Sequence, residues 1–403
     1  MSSENEITES VTLETVHNPD QYMFDFKHIL THGKKKVGVL IGAGGPVSIN
    51  VGTESKWESL IPDIEGLTSQ VKDKLDGDEL KAFKAVESEI INSNIEIVLS
   101  RIRSLAEVIG TAKIHDLDSS GFESLNLNIC KSIKQVVSKS LPKGDSPYTM
   151  LVSWISGINR KYAIEVFTTN YDLLMEEALE NARCPYFDGF SGSKSAFFDP
   201  STISSNNLPA RWTRLWKLHG SINWHINADK EVIRTNEDSS GEMVYPSHIK
   251  YDQTQSAPYS AMFERLRNFL LEPDSLLITT GFSFADAHIT AKLDECLSEN
   301  PSAAIFAFQY GELSNEKYVV NIAKRRPNLS AYCRDGAVIN GVEAKWKTGD
   351  LPSKNWLPIR SEYWKDGEFL LGDFVTFGKF LANSGGGKSL IVNDLDSKVD
   401  QDE

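Results

Sequence analysis

VGVLIGAGG, residues 37–45, is a short continuous apolar run that passes at once into glycines. Such a run lacks alternation and is too short for a helix, so it reads as a strand buried on both faces, as in a parallel sheet covered by helices. The glycines make a tight turn that would let backbone N–H groups approach a pyrophosphate where Cβ atoms would obstruct it, at a helix start that favours negative charge. A purely structural turn accounts for them equally well. The usual dinucleotide fingerprint is also incomplete, because Val47 stands where its last glycine belongs.

Working outward, comparable apolar runs recur at residues 164–168, 215–218, 275–280, 303–308 and 329–333. The run at 164 leads into a helix over 172–180, and that at 275 precedes one over 286–299. This alternation predicts an α/β fold, a Rossmann-like and mostly parallel sheet with helices on both faces. Between the first two strands the spacing turns helical: Leu80, Phe83, Val86 and Ile90 recur at three and four residues, then Ile95, Val98, Ile102, Leu105 and Ile109. Further amphipathic stretches at 122–137 and 147–155 complete a large helical insertion, about 66–160, whose apolar stripes suit packing within the chain or a subunit interface.

The expected organisation is an N-terminal arm and lead-in helix over 1–35, with residues 1 to about 20 loosely held. The Rossmann-like domain spans 36–337, a segment of open structure 338–383, and a flexible acidic tail 384–403. Residues 181–211 read as a polar loop, 222–258 as a small strand pair with a lid, and 259–271 as a helix. GGGKS at 385–389 is not a phosphate loop: Ala382 replaces the leading glycine and too little chain follows to complete a nucleotide unit.

Lys plus Arg number 42 against 56 Asp plus Glu, a net charge of −14, so direct nucleic-acid binding is not expected without a local basic patch. Cys130, Cys184, Cys296 and Cys333 are widely spaced with no C-x₂-C pair, which supplies neither a zinc module nor a disulfide framework. MSSENEITES has no basic or apolar leader character, and no run reaches membrane-spanning length, so the expectation is a soluble, cytoplasmic protein without membrane contact.

Ligands of an open parallel sheet sit beyond the carboxyl ends of its strands. The residues there are Gly42, Ala43, Gly44 and Pro46; Thr169, Asn170 and Asp172; His219; and Gly281, Ser283, Phe284 and Asp286. Asp172 also suits a helix cap, and Asp63 either touches ligand or caps the helix after it. His225, His248 and His288 lack neighbours at metal spacing and read as ordinary polar residues. An amide, an imidazole and a glycine turn facing one crevice suit cleavage of a sugar–nitrogen bond with a cationic leaving group. Asn170 would orient ribose and water, and neutral His219 would act as base, with no metal required.

These segments, GAGGPVS at 42–48, FTTNYD at 167–172, KLHG at 217–220 and GFSFAD at 281–286, resemble the sirtuin superfamily, specifically the bacterial sirtuin-like proteins of antiphage defence systems. The resemblance implies that Asn170 orients ribose and water and that His219 is the catalytic base. It also implies that the GFSF loop holds the adenosine-side ribose and phosphates. Three departures stand out: no four-cysteine zinc module, Pro46 where the family usually has serine, with Ser48 nearby, and Pro62-Asp63-Ile64-Glu65 in place of PDFR. The resemblance therefore implies an NAD+ glycohydrolase, with NAD+ as substrate, that depletes cellular NAD. It further implies a homo-oligomer partnered by a HerA-type hexameric ATPase; a filament-forming or autonomous sensor is the alternative within the superfamily. A non-catalytic NAD or ADP-ribose-binding scaffold and an NAD-dependent protein deacetylase are the competing functions.

Overall fold

The computed structural model describes residues 15–52, 57–205, 207–227, 229, 231–235 and 257–385. Most of the expected loose arm, the expected lid, His248, nearly all of GGGKS and the acidic tail lie outside the described residues.

A ten-stranded sheet carries the molecule. From one edge its strands are Val16–His17, Val342–Trp346, Gly336–Ile339, Leu329–Tyr332, Ala304–Phe308, Ser275–Thr280, Lys36–Ile41, Glu165–Thr168, Thr213–Lys217 and Tyr186–Phe187. All neighbours pair in parallel except around Gly336–Ile339, which is antiparallel to both of its partners. The strand Lys36–Ile41 is flanked by Glu165–Thr168 on one side and Ser275–Thr280 on the other, so strand order reverses beside it and opens a crevice at its carboxyl end. This is the α/β, mostly parallel arrangement that the apolar runs predict.

Helices cover both faces because each buries one apolar stripe. The insertion folds as Ile64–Lys72, Gly77–Ser88, Ile95–Ile109, Ser119–Val137 and Pro147–Gly157, with Phe83, Val86, Val98, Ile102, Phe122 and Ile129 all buried. Its starts are set by side-chain caps: Asn94 accepts from the N–H groups of Glu96 and Ile97, Asp118 from Gly121, and Ser146 forms a capping box with Thr149. On the other side of the sheet, Tyr259–Leu271 and Ala287–Glu299 bury Met262, Leu266, Ile289 and Leu293.

Three expectations change. Residues 181–211 are more than a loop: Tyr186–Phe187 extends the main sheet, while Phe190–Ser191 and Ala196–Phe198 join Trp224–Ile226 and Val232–Arg234 in a four-stranded antiparallel sheet. Burial of Phe187, Phe190 and Ala196 holds these short pieces, which are too brief to show periodicity. The segment left open at 338–383 contributes the hairpin strand Val342–Trp346 and a terminal helix, Phe374–Ser384, that packs on Pro147–Gly157. The stretch from Val16 to Asp20 is tied down, not loose. Val16–His17 pairs with Val342–Trp346, and buried Asp20 accepts from Arg360 Nε at 2.8 Å and from the Tyr363 hydroxyl at 2.6 Å.

Candidate active site

Register aligns the strand ends. Phe308 pairs with Thr280, Thr280 with Ile41, Ile41 with Thr168 and Thr168 with Lys217, giving one row across five parallel strands. The residues one beyond that row, Gln309, Gly281 and Gly42, and two beyond it, Asn170 and His219, are therefore delivered to the same end of the sheet. A cavity of about 640 Å³ lies over it, a size that accommodates a small-molecule ligand.

The cavity wall includes Ala43, Gly44, Pro46, Asp63, Thr169, Asn170, Asp172, His219, Gly281, Ser283 and Asp286, so most of the residues singled out in the sequence converge. Gly42 and Phe284 stand off the wall. Gly42 donates its N–H to Thr280 O at 3.1 Å and its carbonyl accepts from Asn170 Nδ2 at 3.0 Å. Phe284 is buried with φ +59°, its ring centroid 4.9 Å from that of Phe282. A bulky residue in the left-handed region is held there by its surroundings, and its neighbours Ser283 and Asp286 reach the cavity.

Of the two readings open for the glycine turn, the tight structural turn is the one its backbone contacts show. Gly44 donates to Gly281 O at 2.9 Å and Gly45 to Gly42 O at 3.0 Å, so these N–H groups are committed within the protein. A Cβ on Gly42 would stand 2.3 Å from Gly281 O, and one on Gly44 would stand 2.6 Å from Gly281 Cα. Two glycine loops from adjacent strands interlock, and the close approach is between backbones. Ser48, offset from the position where the resembled family has serine, donates to Gly45 O at 2.7 Å and is not on the wall.

Asp63 caps Ile64–Lys72, accepting from Gly66 N at 2.8 Å. Asp172 is not the expected cap: Leu173 holds that position of Leu174–Asn181, and Asp172 instead closes a local turn by accepting from Leu174 N at 3.0 Å. Asp172 is buried, and burial raises its carboxyl above the ordinary range although the Lys217 ammonium opposes this.

His219 Nε2 and Asp286 Oδ2 are 2.9 Å apart, with 13% and 15% of their side-chain surfaces exposed. Burial works to lower the imidazole pKa, but the hydrogen bond to Asp286 and the charges of Glu96 and Asp286 outweigh it and leave it raised. For Asp286 burial works upward, yet the hydrogen bond and charge of His219, with the N–H groups of Ile289 and His288, hold its carboxyl down to about 2. The sequence reading of His219 as a neutral base gains a partner here: Asp286 stands at its Nε2, and the pair is ionic when the ring is protonated. When it is neutral, donation of Nε2–H to Asp286 leaves the lone pair on Nδ1.

Sequence reasoning missed Glu96 and Tyr171. Glu96 lies in the first turn of Ile95–Ile109 and accepts the Tyr171 hydroxyl, and both line the cavity. The Tyr171 ring centroid is 6.4 Å from that of His219. His288, read as ordinary, is also on the wall, as is Gln309, whose amide donates to Phe282 O at 3.2 Å. From the insertion come Leu67, Ile97 and Val137, and from the segment just before it Ile61 and Pro62, all apolar residues of the wall.

Among the described residues, no group of three or more His, Cys, Asp and Glu side chains is placed to hold a metal ion, and no helix is long and apolar enough to cross a membrane. The four cysteines are buried on separate parts of the chain.

No curated protein matches the sequence. Among solved structures, one described as the structural basis for the mechanism and regulation of Sir2 enzymes is 14% identical, with a TM-score of 0.35, covering 70% of this chain and 83% of its own. A Sir2 homologue mutant in complex with ADP-ribose is 12% identical, with a TM-score of 0.32, covering 72% and 85%. Residues 164–331, which carry Asn170, His219 and Asp286, match the family model described as a SIR2-like domain.

Proposed function

We propose that this chain hydrolyses the nicotinamide–ribose bond of NAD+, releasing nicotinamide and ADP-ribose. The observation that carries the reading is the convergence of Asn170 and His219, with the His219–Asp286 pair, on one cavity where the strand order reverses. One Nδ2 hydrogen of Asn170 is spent on Gly42 O, which fixes the amide, and its carbonyl Oδ1 is the acceptor we assign to a ribose hydroxyl or the attacking water. The apolar wall suits the nicotinamide ring, which already carries positive charge and leaves neutral with the electrons of the broken bond. Water adds to the sugar carbon, and its proton passes to the neutral fraction of His219, whose imidazolium Asp286 then stabilises. We further propose, on the sequence resemblance, that the protein acts as a homo-oligomer in antiphage defence under a HerA-type hexameric ATPase.

The test is to incubate the full chain with NAD+, alone and with its genomic neighbour, and to separate the products by chromatography. Nicotinamide and ADP-ribose in equal amounts, lost in Asn170→Ala and His219→Ala, are expected. NAD+ that binds and stays intact over hours in the assembled complex would instead make the chain a scaffold. Nicotinamide release only with acetyl-lysine peptide would make it a deacetylase.

A further inference from the structure

The helical insertion lines the site with Leu67 and Val137 and, at the first turn of Ile95–Ile109, brings the Glu96 carboxylate to it. Asn94 fixes that turn by accepting from Glu96 N at 3.0 Å and Ile97 N at 3.1 Å, and Asn94, Glu96 and Ile97 all lie on the cavity wall. The Glu96 carboxylate takes the hydroxyl of Tyr171, a residue of the loop that also carries Asn170. Tyr171 in turn stands beside the imidazole, whose far nitrogen is on Asp286. Carboxylate, phenol, imidazole and carboxylate therefore follow one another, from the insertion to the far loop of the sheet.

We propose that Glu96 is a positioning residue for His219, acting through its hydrogen bond to Tyr171 and through its negative charge, so that the insertion completes the site. The catalytic consequence rests on the NAD+ hydrolase reading; the structural coupling does not. The charges that act on the imidazole are those of Asp286, from the loop before Ala287–Glu299, and of Glu96, from the insertion. Asp63, Asp172, His288, Tyr310 and Glu316 are the other ionisable groups on the same wall, besides Tyr171 itself. A carboxylate near the imidazole favours its protonated form, and the hydroxyl that anchors the carboxylate keeps it within reach.

The experiment is an NMR titration of the His219 ring in the full chain, with its signal assigned by His219→Gln. Glu96→Gln keeps an acceptor for Tyr171 and removes the charge, so the titration midpoint moves down. Tyr171→Phe removes only the anchoring hydroxyl and moves it in the same direction, and it carries the test should Glu96→Gln fail to fold. Glu123→Gln, on the exposed side of Ser119–Val137, leaves the midpoint where it is. A midpoint unchanged from wild type in a folded Glu96→Gln or Tyr171→Phe overturns the proposal. If wild type cleaves NAD+, the rising limb of its pH profile shifts down in Glu96→Gln as well. If wild type cleaves none under any condition, the hydrolase reading fails while the ring titration still decides the role of Glu96.

Discussion

Asp286 divides its carboxylate between two tasks: Oδ2 pairs with His219 Nε2 at 2.9 Å, while Oδ1 accepts from the N–H groups of His288 at 2.9 Å and Ile289 at 3.0 Å. The helix start and the imidazole are thus held by one side chain. Asp286→Asn preserves an oxygen for the cap but removes the charge, whereas Asp286→Ala removes both. The expected result is that both variants lower the His219 titration midpoint, while only the alanine variant adds the loss of a cap, ~1 kcal/mol. Thermal melting separates the two; equal melting temperatures for Asn and Ala would show that the cap contributes nothing.

The same pair sets a pH window for stability. Asp286 is held at about 2 against an ordinary 3.8, so its contribution is present above the ordinary value and is lost as pH falls toward 2. His219 is shifted the other way, so the pair is fully formed below its ordinary 6.5 and weakens as pH rises through its folded value. Melting temperature measured against pH should therefore show wild type ahead of Asp286→Asn mainly between these limits. A difference that stays constant from pH 2 to 9 would mean that the pair is energetically silent.

Gly281 tests the interlocked loops. Its φ is +60°, and a Cβ there would lie 2.6 Å from Gly45 N and 2.8 Å from Gly44 C, with no flexible side chain to give way. Gly77 has a similar φ, +52°, with nothing within 4 Å of an added Cβ. Gly77→Ala should cost only the left-handed backbone term, ~1–2 kcal/mol. Gly281→Ala should cost more and also weaken ligand binding, because the loops bearing Gly44 and Ser283 must separate. Denaturant unfolding and NAD+ titration of both variants check this, and equal losses of stability would refute the interlock.

Much of this arrangement was legible because buried parallel strands are continuous apolar runs, and register then puts the residues after each run at the same end of the sheet. Which of the two readings of the glycines holds was not legible, because it depends on Gly281, more than two hundred residues away in the chain. Glu96 escaped for a related reason. Its helix is evident from the stripe through Val98 and Ile102, and Asn94 is a recognisable cap. Which end of that helix meets the sheet is decided only when the insertion folds back. The hairpin after Gly336 did leave a signal, since Asn340-Gly341, with φ +52° and +79°, is the two-residue turn that joins antiparallel strands. Val16–His17, a two-residue edge strand, is too short to show a pattern.

Lys217 ties the site to the core behind it. Its side chain is 2% exposed, and Nζ donates to Glu176 Oε1 at 2.9 Å and to the carbonyl of Asp172, the residue two after Asn170. Burial raises the Glu176 carboxyl above its ordinary range even with the Lys217 ammonium holding it down. Lys217→Met removes that counter-charge and leaves a buried carboxylate, an imbalance that costs about 3–5 kcal/mol. Because the stranded carboxyl binds a proton more tightly when folded than when unfolded, the deficit should widen as pH rises above the ordinary carboxyl range and narrow below it. Adding Glu176→Leu removes the carboxylate that Lys217 meets directly, so the double variant should regain part of the stability lost, the remainder falling on buried Asp172, which the same ammonium offsets. Chemical unfolding of the three variants at pH 5 and pH 8 provides the cycle; a single variant as stable as wild type at pH 8, or a double variant no better than the single, would show that the ammonium is not what balances this core.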